Sequence, residues 1–157
     1  MAKEVIVACP QDGADKGKTF RIKRMSAIKA DQWGRHVFQA AASSGGNIAG
    51  LQRGGGLAEV AAAGIGIFAA MDPAKMDELI AQLLEQVEYL PDPSNHAVTM
   101  SVVQADAAEQ IEEVPTIGWL QSEAFKLHVD FFKGVGPLFS LIKLMLGAGE
   151  SSEHTPA

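Results

Sequence analysis

Alternation of apolar and polar positions predicts a β-hairpin near the start of the chain. Residues 3–9, KEVIVAC, and 18–24, KTFRIKR, are short and rich in β-formers, and PQDGADKG between them has turn composition. In the second run Phe20 and Ile22 fall on one face, whereas two basic residues fall on the other. One face of the hairpin is therefore expected to be buried.

Longer segments repeat apolar residues every three to four positions, which predicts helices. The clearest helix covers 73–88, where Asp72 is the expected cap and an apolar stripe begins at Met76. It is expected to end before Pro91, because proline cannot continue the helical hydrogen-bond ladder. Further helices are predicted over 26–42, 57–71, 105–113 and 116–132.

A third strand is predicted over 97–103, AVTMSVV, where apolar and polar residues alternate again. The pattern predicts an α+β, predominantly helical fold. An N-terminal β-hairpin, or a small three-stranded sheet, is expected to pack on a bundle of about four to five helices. The length of 157 residues fits one domain. We expect this domain over 1–146, with a flexible glycine-rich loop at 43–56 and a disordered tail at 147–157.

The segment 131–146, FFKGVGPLFSLIKLML, carries an unusual amount of apolar surface. Leaving its main stripe in water would forgo roughly 6–12 kcal/mol, which is comparable to the stability of a whole domain. The chain's own core, a second subunit or a client chain must therefore cover it. The predicted client or self-association surface comprises Phe131, Phe132, Leu138, Phe139, Leu141, Ile142 and Met145.

Charge and cysteine content indicate which partners and which cellular compartment suit the chain. The formal net charge of -6 argues against a dominant nucleic-acid or anionic-membrane surface. The single Cys9 cannot form an intrachain disulfide, and the amino terminus lacks the apolar region of a secretory signal, so a reducing cytoplasm is expected. The segment 134–147 is shorter than a membrane span and is interrupted by Lys143.

Candidate chemistry is sparse. The four histidines are scattered, and none lies at the spacing of a metal-binding pair such as H-x-x-x-H. The basic residues of the hairpin fit an edge strand protected by charge better than a phosphate site. An acidic cluster at 106–113 fits a solvated helix face better than a cation site. The glycine-rich 43–56 lacks the Gly-Lys-Ser/Thr ending of a phosphate loop. We therefore expect no catalysis, no cofactor and no metal.

Three segments together resemble the phage tail assembly chaperone family. FRIKRMSAIKADQWGRHVFQAAA at 20–42 is similar to the family's opening strand, link and Trp-containing helix. LIAQLLEQVEYLPDP at 79–93 resembles a second landmark, a helix that ends in a Pro-Asp-Pro turn. IEEVPTIGWLQSEAFKLHVDFF at 111–132 is similar to a third, although Pro115 departs from its pattern.

The resemblance implies a non-catalytic protein of the host bacterial cytoplasm that is absent from the mature virion. Its implied partners are the apolar tape-measure protein and, beyond it, the tail-tube protein, and self-association into a homo-oligomer is expected. Two alternatives stay open at this point. One is a structural minor tail protein that remains in the particle, and the other is a membrane-active protein that uses 57–71 and 134–147.

Overall fold

The computed structural model describes residues 4–43, residue 68 and residues 71–132, apart from the side chains at 38, 40–43 and 129–132. Within these ranges, strands and helices are distributed along the whole described chain. In order, they are β1 (Glu4–Ala8), β2 (Thr19–Lys23), α1 (Ala27–Ser43), α2 (Pro73–Leu84), β3 (Val87–Leu90), β4 (Met100–Ser101), α3 (Val102–Ala107) and α4 (Val114–Phe132).

The strands form one antiparallel sheet in the order β1-β2-β3-β4. Its inner face is built from alternate positions, so that Val7, Phe20, Tyr89 and Met100 lie in one row across the four strands. Phe20 and Ile22 are fully buried, as the alternation in β2 predicts. The sheet thus presents one apolar face to the helices.

The helices enclose a core that centres on Trp33 of α1. Its indole Nε1–H donates to the Leu79 carbonyl of α2 at 3.0 Å, which satisfies the one polar atom of a buried ring. Leu79 and Leu83 of α2 are fully buried, and Phe125 of α4 packs edge-on against Trp33. The three long helices and the sheet therefore share a single core.

The predicted fold class is wrong in its sheet. The hairpin extends to four strands, and the strand beside it is β3, which lies inside the predicted helix and turn region and not in 97–103. Helix α2 ends at Leu84, since VEYL at 87–90 pairs with β2 and turns Val87 and Tyr89 toward the core. Periodicity cannot distinguish a four-residue strand from the last turn of a helix. Residues 87–90 form a strand because they pair with β2.

The predicted strand over 97–103 shortens to the two residues of β4 because Ser101 caps α3. The Ser101 hydroxyl accepts from the Gln104 N–H, and the Gln104 side chain accepts from the Ser101 N–H, which is a capping box. Helix α3 consequently starts earlier than the predicted 105–113 and ends at Ala107. The last described helix, α4, accommodates Pro115 in its first turn, where no helical N–H is lost.

Several predictions fall on residues outside the described ranges. These are most of the helix at 57–71, all of the glycine-rich loop at 43–56 except its first residue, the tail at 147–157, and the division into a domain at 1–146. Among the described helices, none combines the length and the apolarity needed to cross a membrane.

Candidate functional site

An apolar cleft of about 510 Å³ lies between α2 and α4, and we call it the α2–α4 cleft. This volume is within the range of roughly 300–1,000 Å³ found for binding pockets. The part of its lining that belongs to the described chain consists of Phe68, Met76, Asp77, Ile80, Ala81, Leu84, Gly118 and Gln121.

The wall on α2 arises from the width of that helix's apolar stripe. Leu79 and Leu83 turn fully into the core, whereas Met76, Ile80 and Leu84 remain only partly buried beside them. These last three residues recur every four positions and so span roughly 12 Å along the helix. A stripe wider than the core requires thus leaves one apolar row facing the cleft.

The wall on α4 is open at Gly118. A Cβ atom built there would meet no heavy atom within 4 Å, so the space above this residue belongs to the cleft. Glycine inside a helix costs about 1 kcal/mol relative to alanine. The position therefore gives up helix stability and leaves the opening unfilled.

The floor of the cleft is an aromatic cluster. Phe68 is almost completely buried, and its ring centroid lies 5.7 Å from Phe125 and 6.4 Å from Trp33. Behind it, fully buried His128 accepts from the Met25 N–H through Nε2 at 3.1 Å, which leaves Nδ1 to donate to the Ala124 carbonyl at 2.7 Å. The floor is therefore packed and held by hydrogen bonds.

His128 is neutral in this environment. Burial lowers its pKa below the usual 6.5, and the nearby Arg24 charge adds to that effect against the hydrogen bond to Ala124. Its role is structural, because both ring nitrogens form hydrogen bonds with the backbone inside the core.

Among the described lining residues, Asp77 is the only one with a charged side chain. Asp77 is exposed at the edge of the cleft and forms no ion pair with another described residue. A ligand that combines apolar groups with a basic group would match this arrangement better than an anionic one.

A second polar cluster, the Asp15 junction, anchors the start of α4 to the loop between β1 and β2. Asp15 is fully buried and accepts from the N–H groups of Glu112 and Glu113 at 3.0–3.1 Å, from the Thr116 hydroxyl at 2.7 Å and from Lys18 Nζ at 2.8 Å. Lys18 also donates to the Gln110 carbonyl at 2.6 Å. The carboxylate thus accepts from the two backbone N–H groups directly before α4 and from the Thr116 hydroxyl in its first turn, which places a negative charge at the N-terminus of the helix.

Electrostatics confirm that Asp15 is held as a carboxylate. Burial opposes its ionisation, but the hydrogen bonds from Lys18, Thr116 and two backbone amides outweigh that cost and lower its pKa from 3.8 to about 2. Lys18 responds in the opposite direction, since its hydrogen bond to Asp15 raises the pKa of the amine. Glycine is required at nearby Gly13 by its φ of 142°, a backbone conformation that residues with side chains rarely adopt.

The hairpin's basic residues pair with carboxylates: Lys16 with Asp12, Lys18 with Asp15, and Arg21 and Lys23 with Glu88. The expected protection of an edge strand is wrong for Arg21 and Lys23, because β2 lies inside the sheet between β1 and β3. Within the ranges that the structure describes, no three His, Cys, Asp or Glu side chains come together in a way that could hold a metal ion.

The predicted surface residues lie where the structure describes no side chains, so their part in the site stays a prediction. Phe131 and Phe132 lie at the end of α4, where side chains are not described, and Leu138, Phe139, Leu141, Ile142 and Met145 lie outside the described residues. The sequence analysis missed Phe68, Gly118 and Asp15. A glycine inside an otherwise regular helix was the available signal for Gly118, whereas nothing local marks Asp15 within a loop of turn composition.

Comparison with known protein families matches most of the described chain to a family model. The family model described as phage tail assembly chaperone protein, TAC, matches residues 16–117, which is well over half of the chain. This span contains the first two segments of the resemblance, at 20–42 and 79–93, and only the beginning of the third. No curated protein and no solved structure matches the chain.

Proposed function

Because this chain belongs to the phage tail assembly chaperone family, we propose that it keeps the apolar tape-measure protein soluble until the tail tube forms around it. The chain acts in phage tail assembly, as its family does. In the proposed role it works without catalysis or cofactor in the cytoplasm of the infected bacterium, and it is absent from the finished virion. The observation that carries the proposal is the α2–α4 cleft, an apolar surface bordered by a packed floor.

The cleft suits an amphipathic helical segment of the client. Helices bind grooves through apolar residues at i, i+3, i+4 and i+7, and the row of Met76, Ile80 and Leu84 offers a counterpart about two turns long. Methionine adds a flexible side chain that adapts to different apolar partners. Asp77 on the rim favours client segments with a lysine or arginine beside their apolar stripe.

The apolar residues that follow α4 form the second part of the proposed client surface. Phe131 and Phe132 close α4, and the stripe that includes Leu138, Leu141 and Ile142 follows them in sequence. Because α4 also forms one wall of the cleft, both surfaces are attached to the same helix.

Weak sites fit a chaperone that must later release its client to the tail-tube protein. Several copies on one tape-measure chain, associated with each other, would hold it through many weak contacts, and each contact remains easy to displace. We therefore include self-association in the proposed function.

Co-expression with the tape-measure protein tests the proposal. Wild-type chain is expected to move the tape-measure protein from the insoluble to the soluble fraction and to purify with it. A tape-measure protein that stays insoluble at equal expression, with this chain folded and soluble, would contradict the proposal. Mass spectrometry of purified virions tests the predicted absence, since a structural minor tail protein would be found there.

Leu141→Asp tests the proposed surface after α4. We expect it to abolish client solubilisation while the helical content measured by circular dichroism stays nearly unchanged, because the residue is proposed to face a partner. Leu141→Met, which keeps the apolar character, is the matched control. If Leu141→Asp unfolds the chain, Leu141 belongs to the core and the surface assignment is wrong.

A further inference from the structure

The two edges of the sheet differ in how they are protected. Native sheets shield edge strands by shortness, charge, proline or bulges. The β4 edge is two residues long and runs directly into α3. In contrast, β1 is five residues long, reads EVIVA, and has only Glu4 as a charged residue. Among the described residues, no strand pairs with its outer side.

The hydrogen-bond pattern identifies which groups of β1 face outward. In an antiparallel ladder, residues alternate between those that bond to the neighbour and those that point away. Cys9 bonds to the β2 side through its N–H and its carbonyl, and Lys23 N–H bonds to Gln86 on the far side of β2. With the register Ile6↔Arg21, this places the N–H and C=O groups of Glu4, Ile6 and Ala8 on the free edge.

We propose that the free edge of β1 pairs antiparallel with β1 of a second copy of this chain, centred on Ile6. This inference rests on the self-association that the proposed function includes. It identifies the surface through which two copies would associate. In this register Ile6 lies opposite Ile6 of the second copy, and Glu4 lies opposite Ala8. About six backbone hydrogen bonds would form across the two strands.

Side-chain chemistry favours a second copy as the occupant. The row of Ile22 and Val5 would continue into Val7 and Phe20 of the other copy, so partly buried valines would meet valines. Ile6, which is 44% exposed, would be covered by its own counterpart. The strand contains no pair of like charges in this register. The two Arg21 side chains would be three strand spacings apart, roughly 14 Å, which exceeds the screening length of about 8–10 Å.

The interface is expected to be weak, since one short strand buries less than the roughly 1,200 Å² of stable complexes. Sedimentation of the full chain alone from about 10 µM to about 1 mM, where weak interfaces associate, is expected to show a monomer-dimer equilibrium. Amide exchange measured by NMR over the same range should report its location. The amides of Glu4, Ile6 and Ala8 should gain protection with concentration, whereas those of Val5 and Val7 should be protected throughout.

Ile6→Pro tests the strand edge directly. It removes an N–H that points outward, so no bond to β2 is lost, and proline is tolerated at edge positions. We expect a dimer dissociation constant at least 10-fold higher with an unchanged thermal midpoint. Ile6→Lys, which keeps the N–H but adds charge, is the second variant in case proline perturbs folding. Val103→Lys is the matched control, because Val103 is an exposed apolar residue, 65% accessible, at a distance from the edge in sequence and element.

The outcomes separate the interface from the wider function. Dimerisation without protection of the outward amides, or dimerisation that survives both Ile6 variants, would overturn the β1 interface and leave self-association intact. A chain that stays monomeric at every concentration would overturn both. Client solubilisation in co-expression is a separate readout, so its failure would contradict the tape-measure role and not the β1 pairing.

Discussion

Two regions of α4 show opposite ways of using side chains. At its start, the Asp15 junction buries a charge and satisfies it with four donors, namely two backbone N–H groups, a hydroxyl and an ammonium group. Toward its middle, the same helix borders the α2–α4 cleft, where an apolar row is only partly buried and Gly118 leaves open space. The junction has its hydrogen-bond partners within the described residues, whereas the described walls of the cleft leave it open.

The difference separates residues that hold the fold from residues that are available to a partner. A buried carboxylate has few alternative arrangements, because every lost hydrogen bond leaves an unsatisfied group. A half-exposed apolar row tolerates rearrangement at small cost and gains stability when a partner covers it. Mutations at the junction should therefore change stability, and mutations at the cleft should change binding.

The largest expected effect is that of Asp15→Ala. It would leave two partly buried backbone amides and the buried Thr116 hydroxyl without their acceptor, so the free energy of unfolding should fall by about 3 kcal/mol. Urea unfolding followed by Trp fluorescence measures it. Asp12→Ala is the control, because its exposed pair with Lys16 should be worth less than about 1 kcal/mol. Equal losses in the two variants would contradict the role of the junction.

The second-largest expected effect is a fall in the free energy of unfolding at low pH, where Asp15 becomes protonated. The pKa of Asp15 is about 2 in the folded chain against 3.8 in the ordinary case, so its contribution is complete above about pH 5 and is lost as pH falls toward 2. The loss amounts to about 2 kcal/mol. Urea unfolding at a series of pH values should show this slope, and Asp15→Asn should remove it.

Protonation of His128 should cause a separate decline in the free energy of unfolding, which starts at higher pH. Since burial lowers the pKa of His128 below 6.5, its contribution is present above that pH and is lost as protonation becomes possible below it. This decline should persist in Asp15→Asn, so the two groups can be distinguished. A pH profile that Asp15→Asn leaves unchanged would show that Asp15 does not titrate as described.

The smallest expected effect concerns Glu109, which leads into the junction. Its φ of 56° is left-handed, and it closes α3 while the Gln110 N–H bonds to the Ala105 carbonyl at 2.8 Å. Glu109→Gly should relieve this strain and raise the free energy of unfolding by up to about 1 kcal/mol. Thermal unfolding measures it, with Glu85→Gly, at an α-helical position, as a control that should destabilise. A loss of stability in Glu109→Gly would contradict the assignment of strain.

Local patterns predicted the elements that depend on local chemistry. The burial of Phe20 and Ile22, the cap Asp72 and the stripe of α2 follow from alternation, periodicity and cap preference. The strand β3 and the Asp15 junction depend on partners far away in sequence, and Asp15 and Thr116 are separated by 101 positions. Such contacts have no local signature.

The candidate site was predictable only in part, for the same reason. The stripe on α2 was visible in the sequence, but the division between fully buried Leu79 and partly buried Ile80 depends on where α4 packs. Phe68 became part of the cleft through its contact with Phe125. The role of the apolar segment after α4 stays a prediction.

The central claim is the proposal that the tape-measure protein binds in the apolar α2–α4 cleft. Substitutions at Gly118 test this claim most directly. Gly118→Trp should fill the open cleft, since a Cβ atom at this position meets no neighbour within 4 Å, and Gly118→Ala should add about 1 kcal/mol of helix stability and leave the cleft open. Tape-measure solubility on co-expression is the measurement. We predict that Gly118→Ala retains it and Gly118→Trp, equally folded, loses most of it. Full solubilisation by a folded Gly118→Trp chain would contradict the claim.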